Sequence, residues 1–146
     1  MLKINDKDPN LEYEDRLSSY GIIKNDKGQI LIVEMIGWGY IFVGGKIEEN
    51  EVPIEAIKRE SLEEIGYNVT DLEFYEKTES YYDVTTYGRL IHCHNIADFY
   101  VGNIGGKIQE PIEKHTKLHW FYPEEIFGKM KLEFQNIILE KLFKNL

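Results

Sequence analysis

A helix-length segment bounded by Pro53 and Gly66 stands in the middle of a chain whose neighbouring apolar runs read as strands. Pro53 suits a first helical turn, where its missing N–H costs nothing, and Gly66 sits where a C-terminal cap belongs. Ahead of it, "RLSSYGIIK" (16–24) and "QILIVEM" (29–35) read as two strands with "NDKG" (25–28) as the turn between them. "YIFV" (40–43) is a short apolar run that stops at Gly44-Gly45. Behind the helix, 72–84 and 89–101 are long strands rich in aromatic and β-branched residues, and 117–122 is a further strand. Residues 123–130 and 132–146 are expected as helices, with Phe134, Ile137, Ile138, Leu142 and Leu146 on one stripe of the second. The polar first roughly ten to fifteen residues are expected to be loose or to form an edge strand. Strands around one helix, closed by a second helical region, make a mixed α/β chain. With no repeat, low-complexity tract or linker, the 146 residues read as a single domain, 1–146, long enough to bury a core.

The mid-chain helix carries more negative charge than its packing requires. Ile54, Ile57 and Ile65 define a buried stripe, with Ser61 and Leu62 lying between. Glu60, Glu63 and Glu64 fall elsewhere, at i, i+3 and i+4, so their side chains emerge side by side. Like charges at that spacing cost a helix about 0.2–0.5 kcal/mol each. Arg59 can reach Glu63 or Glu51 and offset part of this, but one cation does not neutralise four carboxylates. A solvated acidic face is one reading. Glutamates gathered on a rigid element are also what a hard divalent cation takes, with room left for water and phosphate.

Charge narrows the partners. A net charge of −9 argues against nucleic acid, whose phosphates an acidic surface repels, and against a polyphosphate small molecule unless a cation bridges it to the protein. No apolar run approaches the roughly 18–20 residues of a membrane helix, and the charged start has no apolar core behind it, so neither a membrane span nor a signal peptide is expected. The single cysteine, Cys93, rules out an internal disulfide and fits a reducing compartment, which makes the cytoplasm the expected location.

The stretch "GKIEENEVPIEAIKRESLEEIGY" resembles the signature box of the Nudix hydrolases, in their MutT-like branch. Gly45 is followed by KIEEN and Glu51, then by VPIEAIK and Arg59-Glu60, and then by Ser61, Leu62, Glu63-Glu64, Ile65 and Gly66. All seven fixed positions fall at the family's spacing. Three positions depart from it: Ser61 and Tyr67 stand where aliphatics are usual, and Val43 where proline often precedes the glycines. The resemblance implies a Nudix-type α/β/α sandwich with a mixed sheet, the box helix and a C-terminal helix. It implies a pyrophosphohydrolase in which water attacks phosphorus of a nucleoside diphosphate linked to another moiety. It implies Mg²⁺ or Mn²⁺ on Glu60, Glu63 and Glu64 with a contribution from Gly45, and a bracing role for Glu51 and Arg59. The general base on that reading is Glu63, Glu64 or a carboxylate from a later loop, for which Glu113 is the candidate; a solvated loop charge is the other reading of Glu113.

Other residues carry weaker signals. Arg16 opens the first strand and Lys46 follows the glycines; each is a phosphate contact or an ordinary surface cation. Among Phe74, Tyr75, Tyr81, Tyr82 and Tyr87, one ring can stack on a base, with Tyr82 the candidate for substrate binding, while strand aromatics otherwise serve as core or cross-strand pairs. His92 and His94 share a strand face but have no further metal ligand nearby in sequence. A nucleotide-binding protein that keeps the box without turnover is the competing reading, and a calcium-binding or structural acidic helix a third. The expected partner is a small nucleotide, generically a nucleoside triphosphate, on a monomer or homodimer. The chain lacks the proline past the box that marks many ADP-ribose hydrolases.

Overall fold

The computed structural model describes residues 1–144; Leu146, expected on the C-terminal stripe, lies outside them. Among these residues the elements follow in the order β1 (Leu2–Lys3), β2 (Glu14–Lys24), β3 (Ile30–Met35), β4 (Gly39–Ile41), β5 (Val43–Lys46), α1 (Pro53–Glu64), β6 (Tyr67–Thr86), β7 (Arg89–Lys107), β8 (Thr116–Phe121), α2 (Pro123–Ile126) and α3 (Glu133–Phe143). They build one mixed sheet in the order β1-β6-β7-β2-β3-β4, with β5 added on β2 and β8 on β3. β2 lies at its centre, parallel to β7 from Glu14↔Cys93 to Lys24↔Asn103 and antiparallel to β5 from Ser18↔Lys46 to Gly21↔Val43.

The two-residue alternation of a strand divides the core into two layers. Ile22, Ile30 and Ile32 face Phe42, Phe99, Phe134, Ile138 and Leu139 on the side covered by α2 and α3. Their neighbours Ile23, Leu31 and Val33 face Val43, Ile57, Ile65 and Val69 on the side covered by α1. β3 is therefore buried on both faces, which is why "ILIV" shows no polar alternation. The arrangement is the α/β/α sandwich expected.

Several boundaries differ from the sequence reading, each for a local reason. The two long strands extend to 67–86 and 89–107 because they pair with each other throughout, from Tyr67↔Lys107 to Thr86↔Arg89, with three register shifts. The N-terminal stretch contributes a short parallel edge, Leu2↔Thr78, which Asn5 extends by exchanging two hydrogen bonds with the Tyr81 backbone (2.7 and 2.8 Å). The run 40–43 splits: Ile41 pairs with β3, Val43 with β2, and between them the Phe42 N–H donates to the Gln135 side chain at 3.0 Å. The helix expected at 123–130 ends at Ile126, and Asn136 holds both the N–H and the C=O of Met130 (2.9 and 3.1 Å), turning the chain into α3. On α3 itself, Phe134 and Ile138 are buried as expected, whereas Leu139 takes the deep position and Ile137 is only partly covered.

Candidate active site

α1 is fixed at both ends by groups that the sequence supplies locally. At its start the Glu55 carboxylate accepts the Val52 N–H (3.0 Å), and Ser19 on β2 donates to the Pro53 carbonyl (2.9 Å). At its end Gly66 adopts φ +79° and donates to the Ser61 and Leu62 carbonyls (2.9 and 3.1 Å), closing the last turn. A Cβ at Gly66 would meet the Gln109 carbonyl oxygen at 2.0 Å, so the glycine serves the loop packed on it as well. Ser61, which departs from the family pattern, is fully buried and donates to the Tyr67 carbonyl at 2.7 Å; a hydrogen bond replaces the usual apolar packing.

The C-terminal carbonyls of a helix lack partners within it. Here the segment between β7 and β8 supplies them. The N–H groups of Ile112 and Glu113 both donate to the Glu63 carbonyl (2.9 and 3.0 Å), and the Thr116 hydroxyl donates to that of Glu64 (2.6 Å). This docking carries Glu113 to α1. Carboxylate oxygens of Glu60, Glu64 and Glu113 lie within 4.8 Å of one another. Glu113 is thus a half-buried member of a cluster rather than a solvated loop charge.

Glu63 does not converge with these three. Its carboxylate accepts from Arg59 Nη1 at 3.3 Å. Arg59 also grips Glu51 with two bonds (Nε–Oε2 2.7 Å, Nη2–Oε1 3.0 Å), donates to Glu60 (3.0 Å) and reaches the Lys46 carbonyl (3.0 Å). Glu51 in turn accepts the Glu48 N–H at 2.9 Å, so one guanidinium ties the loop 46–51 to the helix. The bond to Arg59 holds the Glu51 carboxyl below the usual glutamate range.

The cluster side has the opposite electrostatics. Glu64 is 4% exposed, and its carboxylate accepts the Gly44 N–H at 3.2 Å. Among the described residues neither Glu64 nor Glu113 has a cationic partner. Burial, reinforced by Glu60, Glu113 and Glu63, pushes the Glu64 carboxyl well above its usual value. Burial pushes Glu60 up to about 7, Arg59 opposing and Glu63 and Glu113 adding to it. Glu113 is raised by burial and by Glu63. Three carboxylates that resist ionising together are a fit for a hard divalent cation, which would relieve all three at once.

The glycines bring backbone against this cluster. Gly44 has φ +140°, and a Cβ there would meet the Ser19 carbonyl oxygen at 2.1 Å; at Gly45 a Cβ would lie 3.1 Å from Glu60 Oε1. A side chain at Gly44 would collide with β2, and one at Gly45 would crowd the Glu60 carboxylate.

A cavity of about 450 Å³ runs from Gly44, Gly45, Glu60, Glu64 and Glu113 across the sheet to Arg16, Tyr82 and Cys93. Of the aromatics singled out in sequence, Tyr82 alone lines it; its ring stacks on Phe134 (5.7 Å between centroids) and its hydroxyl accepts from Asn95 at 2.9 Å. Phe74 packs on Tyr100, Tyr81 on His94, and Tyr87 stands fully exposed in the β6–β7 turn. Lys46 borders the cavity with an exposed side chain. Trp38, which the sequence reading passed over because it lies in the β3–β4 turn, forms part of the wall. His92 bonds Asp83, and His94 bridges Asp15 and Glu79 (2.8 Å each) at a distance from the cluster in the chain's pairing.

Comparison with known proteins agrees with this geometry. The family model described as NUDIX domain matches residues 15–145. The 8-oxo-dGTP diphosphatase of Haemophilus influenzae is 39% identical over 67 residues, covering 42% of this chain and 49% of that protein. The CTP pyrophosphohydrolase of Escherichia coli K12 is 35% identical over 86 residues, covering 58% and 56%. The chain thus spans about half the length of the curated relatives it matches. In fold it is similar to a MutT structure from work on Aliivibrio salmonicida and Vibrio cholerae (TM-score 0.67, 20% identity, 91% of this chain and 100% of that one). It is equally similar to a NUDIX hydrolase from Nitrosomonas europaea (TM-score 0.68, 19% identity, 90% of each chain). With the family model covering nearly the whole chain, and Glu60 and Glu64 of the box meeting Glu113 as described, the protein belongs to the Nudix family.

Proposed function

We propose that this protein hydrolyses the pyrophosphate linkage of a nucleoside triphosphate or related nucleotide in a divalent-metal-dependent reaction. The observation that carries the reading is the convergence of Glu60, Glu64 and Glu113, two of them without any cationic partner among the described residues, at one end of a nucleotide-sized cavity. The curated relatives named for 8-oxo-dGTP and CTP support a nucleoside triphosphate as the substrate class.

Glu60, Glu64 and Glu113 would hold Mg²⁺ or Mn²⁺, with Glu63 beside them on the helix and the Gly45 backbone nearby. When bound, the metal supplies Lewis-acid charge that steadies the pyrophosphate and eases loss of a proton from water. The residues of the chain do the rest. Glu113 accepts the proton of the attacking water. The water oxygen forms the new bond to phosphorus as the bridging P–O bond breaks, releasing a nucleotide and phosphate or pyrophosphate. Glu63 and Glu64 are the other catalytic candidates. Gly44 and Gly45 let the pyrophosphate approach the backbone, Lys46 meets a phosphate oxygen, and Arg16 and Tyr82 line the space for the nucleoside. Arg59 and Glu51 keep the loop and helix in register. The protein acts on a small nucleotide rather than on nucleic acid or membrane, as monomer or homodimer. A single buried free cysteine fits a reducing compartment such as the cytoplasm, and among the described residues no helix is long and apolar enough to cross a membrane.

The test is phosphate or pyrophosphate release from a panel of nucleoside triphosphates, ADP-ribose, nucleotide sugars and dinucleoside polyphosphates, with Mg²⁺ or Mn²⁺ and again with chelator. Strong metal-dependent turnover of one class is expected. Turnover unchanged in chelator, or silence across the panel from folded, metal-binding protein, would overturn the reading.

A further inference from the structure

Arg16 is a partly buried fork of donors with no acid to hold it. It sits on β2 among carboxylates, yet the two acidic residues just before it are already engaged, Glu14 with Arg89 and Asp15 with His94. Among the described residues Arg16 takes part in no salt bridge. It nonetheless points into the cavity, where it faces the phenols of Tyr20 and Tyr82. Burial acts to lower its pKa, but those phenols outweigh it, and the guanidinium stays charged. A partly buried guanidinium with five donors, no acceptor and no carboxylate beside it keeps donors free for a ligand.

Its place along the strand separates it from the reacting end. Tyr20 pairs with Gly44, beside the carboxylates, and Arg16 lies four residues back along β2, about 13 Å at the rise of an extended strand. Tyr20 reaches back towards it from that end, and Tyr82 lies on its far side: Cys93 is level with Glu14, and Tyr82 is paired with Cys93, farther still from Gly44. Lys46, paired with Ser18, lies between the two ends and is the nearer cation for phosphate. A pyrophosphate held at the carboxylates therefore places the nucleoside, rather than its phosphates, at Arg16.

We propose that Arg16 determines base specificity by donating two hydrogen bonds to adjacent acceptors on the substrate's nucleobase. Guanine offers such a pair in O6 and N7, and cytosine in O2 and N3. Adenine sets a donor, its N6 amino group, beside N7 and leaves part of the fork unpaired. The inference rests on the proposed nucleotide pyrophosphohydrolase reading and adds the class of base.

The experiment measures kcat/KM for GTP, CTP and ATP with Mg²⁺ in the wild type, Arg16→Lys and Arg16→Met. The wild type is expected to prefer GTP or CTP over ATP by roughly tenfold to a hundredfold, the discrimination of one bidentate pair. Arg16→Met should bring that ratio towards one, and Arg16→Lys, which lacks the planar fork, should retain only part of it. A ratio unchanged in Arg16→Met, an equal loss on all three nucleotides, or a wild-type preference for ATP overturns the proposal while leaving the hydrolase reading intact. Binding of GMP, CMP and AMP without metal, followed by calorimetry, judges Arg16 even where no nucleotide is turned over. Tighter GMP or CMP binding that is lost in Arg16→Met supports it, and binding indifferent to the base overturns it.

Discussion

The two sides of α1 carry the same residue type under opposite conditions. On one side Arg59 serves Glu51, Glu63 and Glu60 together, and each of these three carboxylates has a partner within 3.3 Å. On the other, Glu64 and Glu113 face each other and Glu60 without a cation, one of them 4% exposed. A helix designed only for stability would not bury a carboxylate against two others. The contrast separates charge that holds the loop in place from charge kept ready for a ligand, and Glu60, touching both sets, joins them.

The sharpest break is Glu64→Gln. It removes a buried charge with no cationic partner, so the metal-free protein should be as stable as the wild type or more so, while activity falls at least roughly a hundredfold, since even outer partners of metal ligands are worth 10–100-fold. Loss of activity together with a lowered melting temperature would mean that Glu64 is structural. Arg59→Met acts on the other side and should do the reverse in proportion. Hydrogen bonds to charged groups contribute about 1.5–3 kcal/mol each, so chemical denaturation should report a clear loss of stability alongside a smaller loss of activity. Gly66→Ala probes the connection between loop and helix. The left-handed backbone and the 2.0 Å approach to Gln109 predict a cost of about 1–3 kcal/mol and a displaced Glu113. Activity falling by more than the unfolded fraction, read from melts and rates on one sample, would show that displacement.

The smallest effect lies away from the site. Burial works to lower the His94 pKa, but Asp15 and Glu79 outweigh it and raise it above the usual value. A histidine raised on folding stabilises fully below its unfolded pKa, and the contribution is lost as pH rises through the folded one. Melts of wild type and His94→Gln should therefore differ by about 0.5–1 kcal/mol near pH 6 and converge in alkali. A gap that widens with pH would contradict the assignment.

Much of this was legible in the residues. β2, β3, α1 and their turn follow from periodicity, Pro53 and Gly66, because those signals are local. Glu60 and Glu64 follow from helical spacing. Glu63 at the same spacing turns instead to Arg59, because a neighbouring cation competes for it, and spacing alone does not rank those partners. Glu113 joins the cluster only through backbone bonds from its loop to the end of α1, a long-range contact with no sequence periodicity. The splitting of 40–43 and the early end of α2 were likewise set by Gln135 and Asn136, side chains of a different element. Arg16 was visible as a cation at the head of a strand, but its lack of an acid partner depends on Arg89 and His94 taking its neighbours.

The central claim is that the unpaired side of α1 is a divalent-cation site, and Mn²⁺ titration tests it most directly. Calorimetry at pH 8 on metal-free wild type and Glu64→Gln, with melting curves on the same samples, reads binding without relying on turnover. The account predicts saturable binding that raises the wild-type melting temperature, and affinity at least tenfold weaker in Glu64→Gln. Equal binding by both proteins, or none by folded wild type, would contradict it.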